Sequence, residues 1–151
     1  MKKAIYKTSF GNMMVVEKKG KIDIIDFTQE EVNTLDATTL TNDVALQLEE
    51  YFMGRRKTFD FPMKLEGTEF QQKVWQALRE IPYGQTRSYS DIAKMIGKDK
   101  ATRAVGMANN KNKLIIVIPC HRVIGKNKSL TGYRGGLVRK RRLLDLEELN
   151  S

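Results

Sequence analysis

The sequence predicts an α+β protein: a small N-terminal α/β domain with an antiparallel sheet, and a mostly helical C-terminal domain carrying a helix-turn-helix. Three observations carry this. Residues 4–27 hold three short apolar or alternating runs divided by turn residues. Residues 68–81 repeat apolar positions at helical spacing, and a second capped helical pattern follows within residues 88–108. A length of 151 residues, 40% apolar and 30% charged, supports a packed core and argues against a disordered chain.

In the first part, "AIYKTSF", "MMVVE" and "KIDIIDF" read as strands of a meander, with Gly11 and "KKGK" (18–21) at the turns. Polar residues 28–43 read as loop. "DVALQLEEYFMG" predicts a helix, because Val44, Leu48, Tyr51 and Phe52 share a stripe and Gly54 supplies the stop. "RRKTFDFPMKLEG", with Pro62, Gly67 and no helical period, reads as a linker. The boundary therefore falls near residue 60, giving domains 1–60 and 61–151.

Thr68 and Gln71 form a capping box that opens the clearest helix, with Phe70, Val74, Ala77, Leu78 and Ile81 on one stripe and Pro82 at its end. Trp75, beside the stripe, reads as core. Ser88 and Asp91 cap a shorter helix that turns Ile92, Ala93 and Ile96 inward and stops at Gly97; a further helix is expected from about Asp99 to Ala108. Two short helices joined by a glycine-containing turn match a helix-turn-helix, a pattern that many helical hairpins share. "LIIVI" (114–118) predicts a buried strand or extended segment. "KNKSLTGYRGG" is loop, and the last helix is expected from about Leu137 to Leu149.

Lys and Arg total 27 against 18 Asp and Glu, a net charge of +9 with a pI near 9.7. Such an excess attracts polyanions, nucleic acid first and acidic membrane second; a merely soluble basic protein explains the charge as well. No apolar run approaches the roughly 20 residues that cross a bilayer, and "MKKAIYKTSFG" lacks a signal-like core. The expectation is a cytoplasmic protein, nucleoid-associated through DNA or nuclear in a eukaryote, with no membrane partner. One cysteine and one histidine exclude an internal disulfide and a four-ligand zinc site, so thiol chemistry stays open and no structural metal is expected.

That cysteine and histidine, Cys120 and His121, are adjacent and follow Pro119. Sulfur is nucleophilic as thiolate, and a thiol of ordinary pKa, about 8.5, needs a base or a cation beside it. Neighbouring side chains on a strand point to opposite faces, but a tight turn after Pro119 brings both to one side, with space for a bridging water. From these two residues alone, an inert buried cysteine beside a surface histidine is the better reading.

Glu147 changes that weighting. It follows Leu143 by four residues and Leu144 by three, so the last helix carries a carboxylate on or beside its apolar face. A buried charge needs a partner. His121, Arg122, or solvent at a frayed helix end are the candidates, and the first completes a Glu-His-Cys relay. Asp145 and Glu148 fall on the polar side.

Arg103 stands among Ala101, Thr102, Ala104, Gly106 and Ala108. Small residues ordinarily permit tight helix packing. They also let a helix about 10 Å across press into a minor groove about 6 Å wide, with one arginine reaching the base stack. "RKRR" (139–142) reads as a solvated helix face, with phosphate contacts as the alternative.

"IPCHRVIG", preceded by "IPYGQTRSYSDIA" and "TRAVGMANNKNK" and followed by "LTGYRGGLVRKRRLLDLE", resembles the O6-alkylguanine-DNA alkyltransferase family. The likeness runs nearly unbroken from Phe61 to Glu148, while residues 1–60 match in general character. It implies a single-turnover repair protein that needs neither metal nor cofactor, monomeric on double-stranded DNA containing O6-alkylguanine, with alignment of several copies left undecided. The damaged guanine would be flipped out from the minor-groove side and its alkyl group moved irreversibly onto Cys120. His121 and Glu147 would form the relay through a bridging water. Tyr89 matches the tyrosine that donates to the base, Arg103 the arginine that replaces the flipped nucleotide, and Asn112 the hinge asparagine before the active-site segment. Lys100, Ala101, Thr102, Ala104 and Gly106 would line the DNA-binding helix. Tyr133, the Arg134 backbone amide, Lys140, Val123 and Ile115 would line the substrate pocket.

Arg134 stands where some members have serine, Thr102 and Met107 replace small residues, and Lys113 and Ile115 stand where proline occurs in relatives. These departures leave open the preference between methyl and bulkier alkyl groups. A non-catalytic sensor of alkylated DNA is the competing class, against which Cys120 argues; a thiol hydrolase would instead turn over repeatedly on peptides or esters.

Overall fold

Three antiparallel strands, β1 (Lys2–Thr8), β2 (Gly11–Lys18) and β3 (Lys21–Phe27), form a sheet in that order. The computed structural model describes residues 1–151 and separates into two units, Met1–Leu65 and Glu66–Ser151. Lys19 (φ 53°) and Gly20 (φ 77°) both occupy the left-handed region, the backbone that a two-residue hairpin turn requires. Ala4, Ile5, Met13, Val15, Ile22 and Ile25 put their side chains into the core of the first unit.

Helix α1 (Thr39–Phe52) starts inside the stretch read as loop. Thr38 and Thr41 cap each other reciprocally there, and a threonine in the place where Glu or Gln usually completes such a box hid the signal. Val44, Leu48, Tyr51 and Phe52 are buried as their spacing requires, and Phe52 stacks on Phe10 at 4.4 Å between ring centroids.

The loop after β3 pairs backbone to backbone with β1 through Ile5 and Asn33, covering that strand's outer edge. Ile22 exchanges hydrogen bonds with Pro62 and Lys64 at 2.9 Å each, so the first unit runs to Leu65 where composition placed a boundary near residue 60. The intervening residues belong to the sheet by hydrogen bonding, which composition does not register.

In the second unit, α2 (Glu69–Arg79) opens on the Thr68–Gln71 box and buries Val74, Trp75, Ala77 and Leu78. Gly67 is obligatory, since a Cβ there would lie 2.5 Å from the Trp75 ring. The short strand β4 (Arg87–Ser88) leads into α3 (Tyr89–Met95), which buries Ile92 and Ala93, while Ile96 is only half-buried at its end. Helix α4 (Thr102–Asn110) lies later than the expected Asp99–Ala108, because Ala101 closes a turn onto Lys98 before the helix begins. It packs on α2 and α3, and Trp75 Nε1 donates to Ala108 O at 2.9 Å near its C-terminal end. The last elements are β5 (Val123–Ile124), paired in parallel with β4, and α5 (Leu137–Asn150). No helix is long and apolar enough to cross a membrane.

The expected strand at 114–118 is instead a buried tight turn. Ile118 N–H donates to Leu114 O at 2.9 Å, and Ile116 sits at φ 74°. Left-handed backbone at a β-branched residue costs on the order of 1–3 kcal/mol and persists only where its surroundings over-determine it. Here the Asn112 carboxamide does so: Nδ2 donates to Ile118 O at 2.7 Å and Oδ1 accepts from Leu114 N–H at 3.0 Å. One side chain thus takes the place of the sheet partner that the apolar run lacks.

Candidate active site

The turn at 114–118 delivers the chain to Pro119 and then to a 3-10 turn over Cys120–Arg122. Successive side chains in such a turn stand about 120° apart, so Cys120 and His121 diverge without being sent to opposite faces. Both are buried, at 3% and 0% exposure. Cys120 N–H donates to Ile118 O at 2.7 Å, and Asn109 Nδ2 of α4 approaches Cys120 O at 3.4 Å.

Glu147 of α5 is 1% exposed and is held from several sides. His121 Nε2 lies 2.7 Å from Oε2; Arg122 Nε donates to Oε1 at 2.7 Å and Nη2 to Oε2 at 2.9 Å; Gly84 N–H donates to Oε1 at 3.2 Å. The remaining Arg122 nitrogen, Nη1, donates to Ile81 O at 2.8 Å, and the guanidinium carbon lies 5.6 Å from the Tyr83 ring centre. Of the partners weighed from sequence, His121 and Arg122 both meet Glu147.

Burial alone would raise the Glu147 carboxyl, but the hydrogen bonds and charges of His121 and Arg122 outweigh it and hold the group well below the usual carboxylate range. Burial pushes His121 below its ordinary value, against the pull of Glu147. The cluster is therefore a guanidinium, a carboxylate and a neutral imidazole. A carboxylate only accepts, so Nε2 carries the imidazole proton and Nδ1 is the basic nitrogen.

Lys140, within the "RKRR" read as a solvated face, is fully buried, while Arg141 and Arg142 are exposed. The face reading is corrected at this one position because α5 turns Lys140 inward with Leu143 and Glu147. Its Nζ donates to Val123 O at 2.6 Å and Thr131 O at 2.7 Å. Burial brings its pKa down to about 8, a fall that the neighbouring Cys120 charge opposes. The folded chain thus releases this proton more readily than the unfolded one, and stability rises with pH between about 8 and the ordinary 10.5. Denaturant unfolding across that range should show the rise, and Lys140→Met should flatten it.

Tyr133 is buried, its ring edge-on to His121 at 6.5 Å between centroids, and Val123 and Ile115 are fully buried. Tyr89 Oη lies 3.4 Å from Thr131 O, and Arg134 Nη1 donates to Asn112 O at 3.1 Å. The fold thus gathers Cys120, His121, Glu147, Lys140, Val123 and Tyr133 in one buried cluster. Lys100, Arg103 and Ala104 are exposed at the start of α4, with Ala101, Thr102 and Gly106 half-buried. The first unit holds ten basic and ten acidic side chains, whereas the second holds seventeen and eight, so the whole excess charge lies with α4 and the cysteine.

Gly84 is the member of the cluster that sequence reasoning missed, since a backbone N–H leaves no signal in the side-chain pattern; Arg122, weighed as one alternative partner of Glu147, meets it together with His121.

A buried cysteine beside a histidine-carboxylate pair, carried in a basic unit with a helix-turn-helix, fits the class of proteins that accept a transferred group on cysteine. Residues 1–65 match the ribonuclease-like domain of 6-O-methylguanine DNA methyltransferase, and residues 69–149 match its DNA binding domain. The chain belongs to the 6-O-methylguanine DNA methyltransferase family. It is 46% identical to the constitutive methylated-DNA–protein-cysteine methyltransferase of Bacillus subtilis, with 95% of this chain and 93% of that one covered. It is 59% identical to the methylated-DNA–protein-cysteine methyltransferase of Methanosarcina acetivorans over 105 residues, 70% of this chain and 67% of that one. The crystal structure of Mycobacterium tuberculosis OGT in complex with DNA superposes with a TM-score of 0.88 at 40% identity, covering 97% of this chain and 92% of that one. The O6-methylguanine DNA methyltransferase of Methanococcus jannaschii superposes at 0.70 and 34% identity, covering 97% and 94%.

Proposed function

We propose that this protein repairs DNA by moving an alkyl group, methyl first, from guanine O6 in duplex DNA onto Cys120, once per molecule. The observation that carries the reading is the buried contact of 2.7 Å between Glu147 and His121, next in sequence to the cysteine and within the unit that holds the excess positive charge.

His121 Nδ1 takes the thiol proton through a bridging water, which suits side chains that diverge in a 3-10 turn, and Glu147 stabilises the imidazolium that results. The thiolate attacks the alkyl carbon, an S–C bond forms, and the C–O bond breaks with its electron pair leaving on guanine. Tyr89 donates to the base, neutralising it as a leaving group; a positioned donor of this kind contributes on the order of 10²–10⁴-fold. Lys140 places a cation near the thiolate, while Tyr133, Val123, Ile115 and the Arg134 backbone amide shape the pocket. The thioether product offers no ready route back to thiol, and a second turnover is not expected.

The target base reaches a buried cysteine by extrusion from the duplex, which costs a few kcal/mol and least for a poorly paired base. Arg103, exposed on α4, fills the vacated stack from the minor-groove side. Lys100, Ala101, Thr102, Ala104 and Gly106 form the surface that lies against the groove, and Asn112 hinges α4 to the cysteine segment. Arg103→Ala should slow transfer from duplex DNA by about 10- to 100-fold more than transfer from free O6-alkylguanine base, as loss of a few kcal/mol of extrusion support requires. Equal losses in single-turnover kinetics on the two substrates would remove the extrusion role.

Intact mass after incubation with an O6-methylguanine duplex tests the whole reading. One methyl group on Cys120 per molecule is the expected result. No stoichiometric gain sinks the proposal, and repeated turnover on peptides or esters would favour the hydrolase class.

A further inference from the structure

Lys140 ties down Val123 and Thr131 at the start of the pocket loop, but it does not decide where residues 132–136 rest. Three contacts do. Gly132 (φ 36°) lies against the Asn110 side chain, where a Cβ would come within 3.7 Å of Nδ2. Tyr133 packs edge-on to His121. The third is the side chain of Arg134, which reaches 22 residues back along the chain to donate from Nη1 to Asn112 O at 3.1 Å.

Two of these three touch the place where α4 ends. Asn110 is its last residue, Lys111 its cap, and Asn112 N–H still donates to Asn109 O at 3.4 Å. The negative end of a helix dipole favours a guanidinium there beyond the hydrogen bond itself. Asn112 is also the residue whose carboxamide closes the turn leading to Pro119 and Cys120. One guanidinium therefore meets three elements at a single point: the end of α4, the turn before the cysteine, and the loop carrying Tyr133.

We infer that Arg134 is a positioning residue for the transfer: its side chain straps the pocket loop to the end of α4, so that a duplex seated on α4 also sets the loop beside Cys120. This rests on the reading that α4 docks on DNA and Cys120 accepts the alkyl group. The Nη1 bond is charge-assisted and comes from an exposed side chain, so the loop follows α4 less closely once that bond is lost.

Hydrogen exchange of the 131–136 amides, with and without an undamaged duplex, separates the strap from a merely structural contact. In the wild type the duplex should slow exchange in both α4 and the loop. In Arg134→Ala, α4 protection should remain while loop protection falls by about tenfold or more, and Arg134→Lys, which keeps the cation and a donor, should restore part of it. Transfer from duplex DNA should fall more than transfer from free base. Loop protection that survives Arg134→Ala overturns the strap. So does a loss of affinity with the salt slope reduced by about one, which marks Arg134 as a phosphate contact itself. A wild type whose α4 gains no protection overturns the docking reading and the strap with it; one that docks but gains no methyl overturns only the transfer reading.

Discussion

Cys120→Ala is expected to bind duplex DNA with affinity within about twofold of the wild type while transferring no alkyl group at all. Affinity for DNA comes chiefly from cations opposite phosphates, and the excess of cations belongs to the second unit, where Lys100 and Arg103 are exposed. Cys120 is 3% exposed and contributes none of them. Its sulfur is the sole thiol in the chain, so no second nucleophile substitutes for it. Titration against DNA at several salt concentrations checks the first half, and intact mass with an O6-methylguanine duplex the second. A loss of affinity above about tenfold would show that the cysteine segment holds α4 in place, a route that the Asn109 contact to Cys120 O makes physically available.

Glu147→Ala should be the most damaging substitution for stability, about 3–5 kcal/mol, because it leaves the Arg122 guanidinium buried without its carboxylate. Glu147→Gln keeps the shape and an acceptor, so it should cost less in stability. It does not stabilise an imidazolium at His121, and transfer should slow by about 10²–10⁴-fold. Urea unfolding and single-turnover kinetics on both variants separate the two effects. A Gln variant that transfers at the wild-type rate would remove the relay from the mechanism.

The acid limb of stability follows from the same cluster. Folding lowers the proton affinity of both Glu147 and His121, so the unfolded chain takes up protons that the folded chain refuses. Stability should fall as pH drops from the ordinary histidine value, about 6.5, through the ordinary carboxylate range near 4.5. Glu147→Gln should remove the lower part of that slope.

Much of this was legible along the chain. Thr68 with Gln71 and Ser88 with Asp91 announced two helix starts, because capping is a contact three residues long. Glu147 stood out as a carboxylate out of place on an apolar face. Where reading failed, a distant partner had overridden local preference. "LIIVI" has strand composition, yet Asn112 pairs its polar groups into a turn; Lys140 sits in a basic run, yet its ammonium is buried between two carbonyls.

Sequence by itself determined the α+β class, the helix-turn-helix, the single Cys-His pair and the family, since each depends on residue identity at short spacing. Tertiary structure alone decided that Glu147 is shared between His121 and Arg122 and that Lys140 is buried against the carbonyls of Val123 and Thr131. Local spacing is written in the chain; which buried groups meet across 25 residues or more is set by packing, because a buried charge takes whichever partner the fold brings within hydrogen-bond reach.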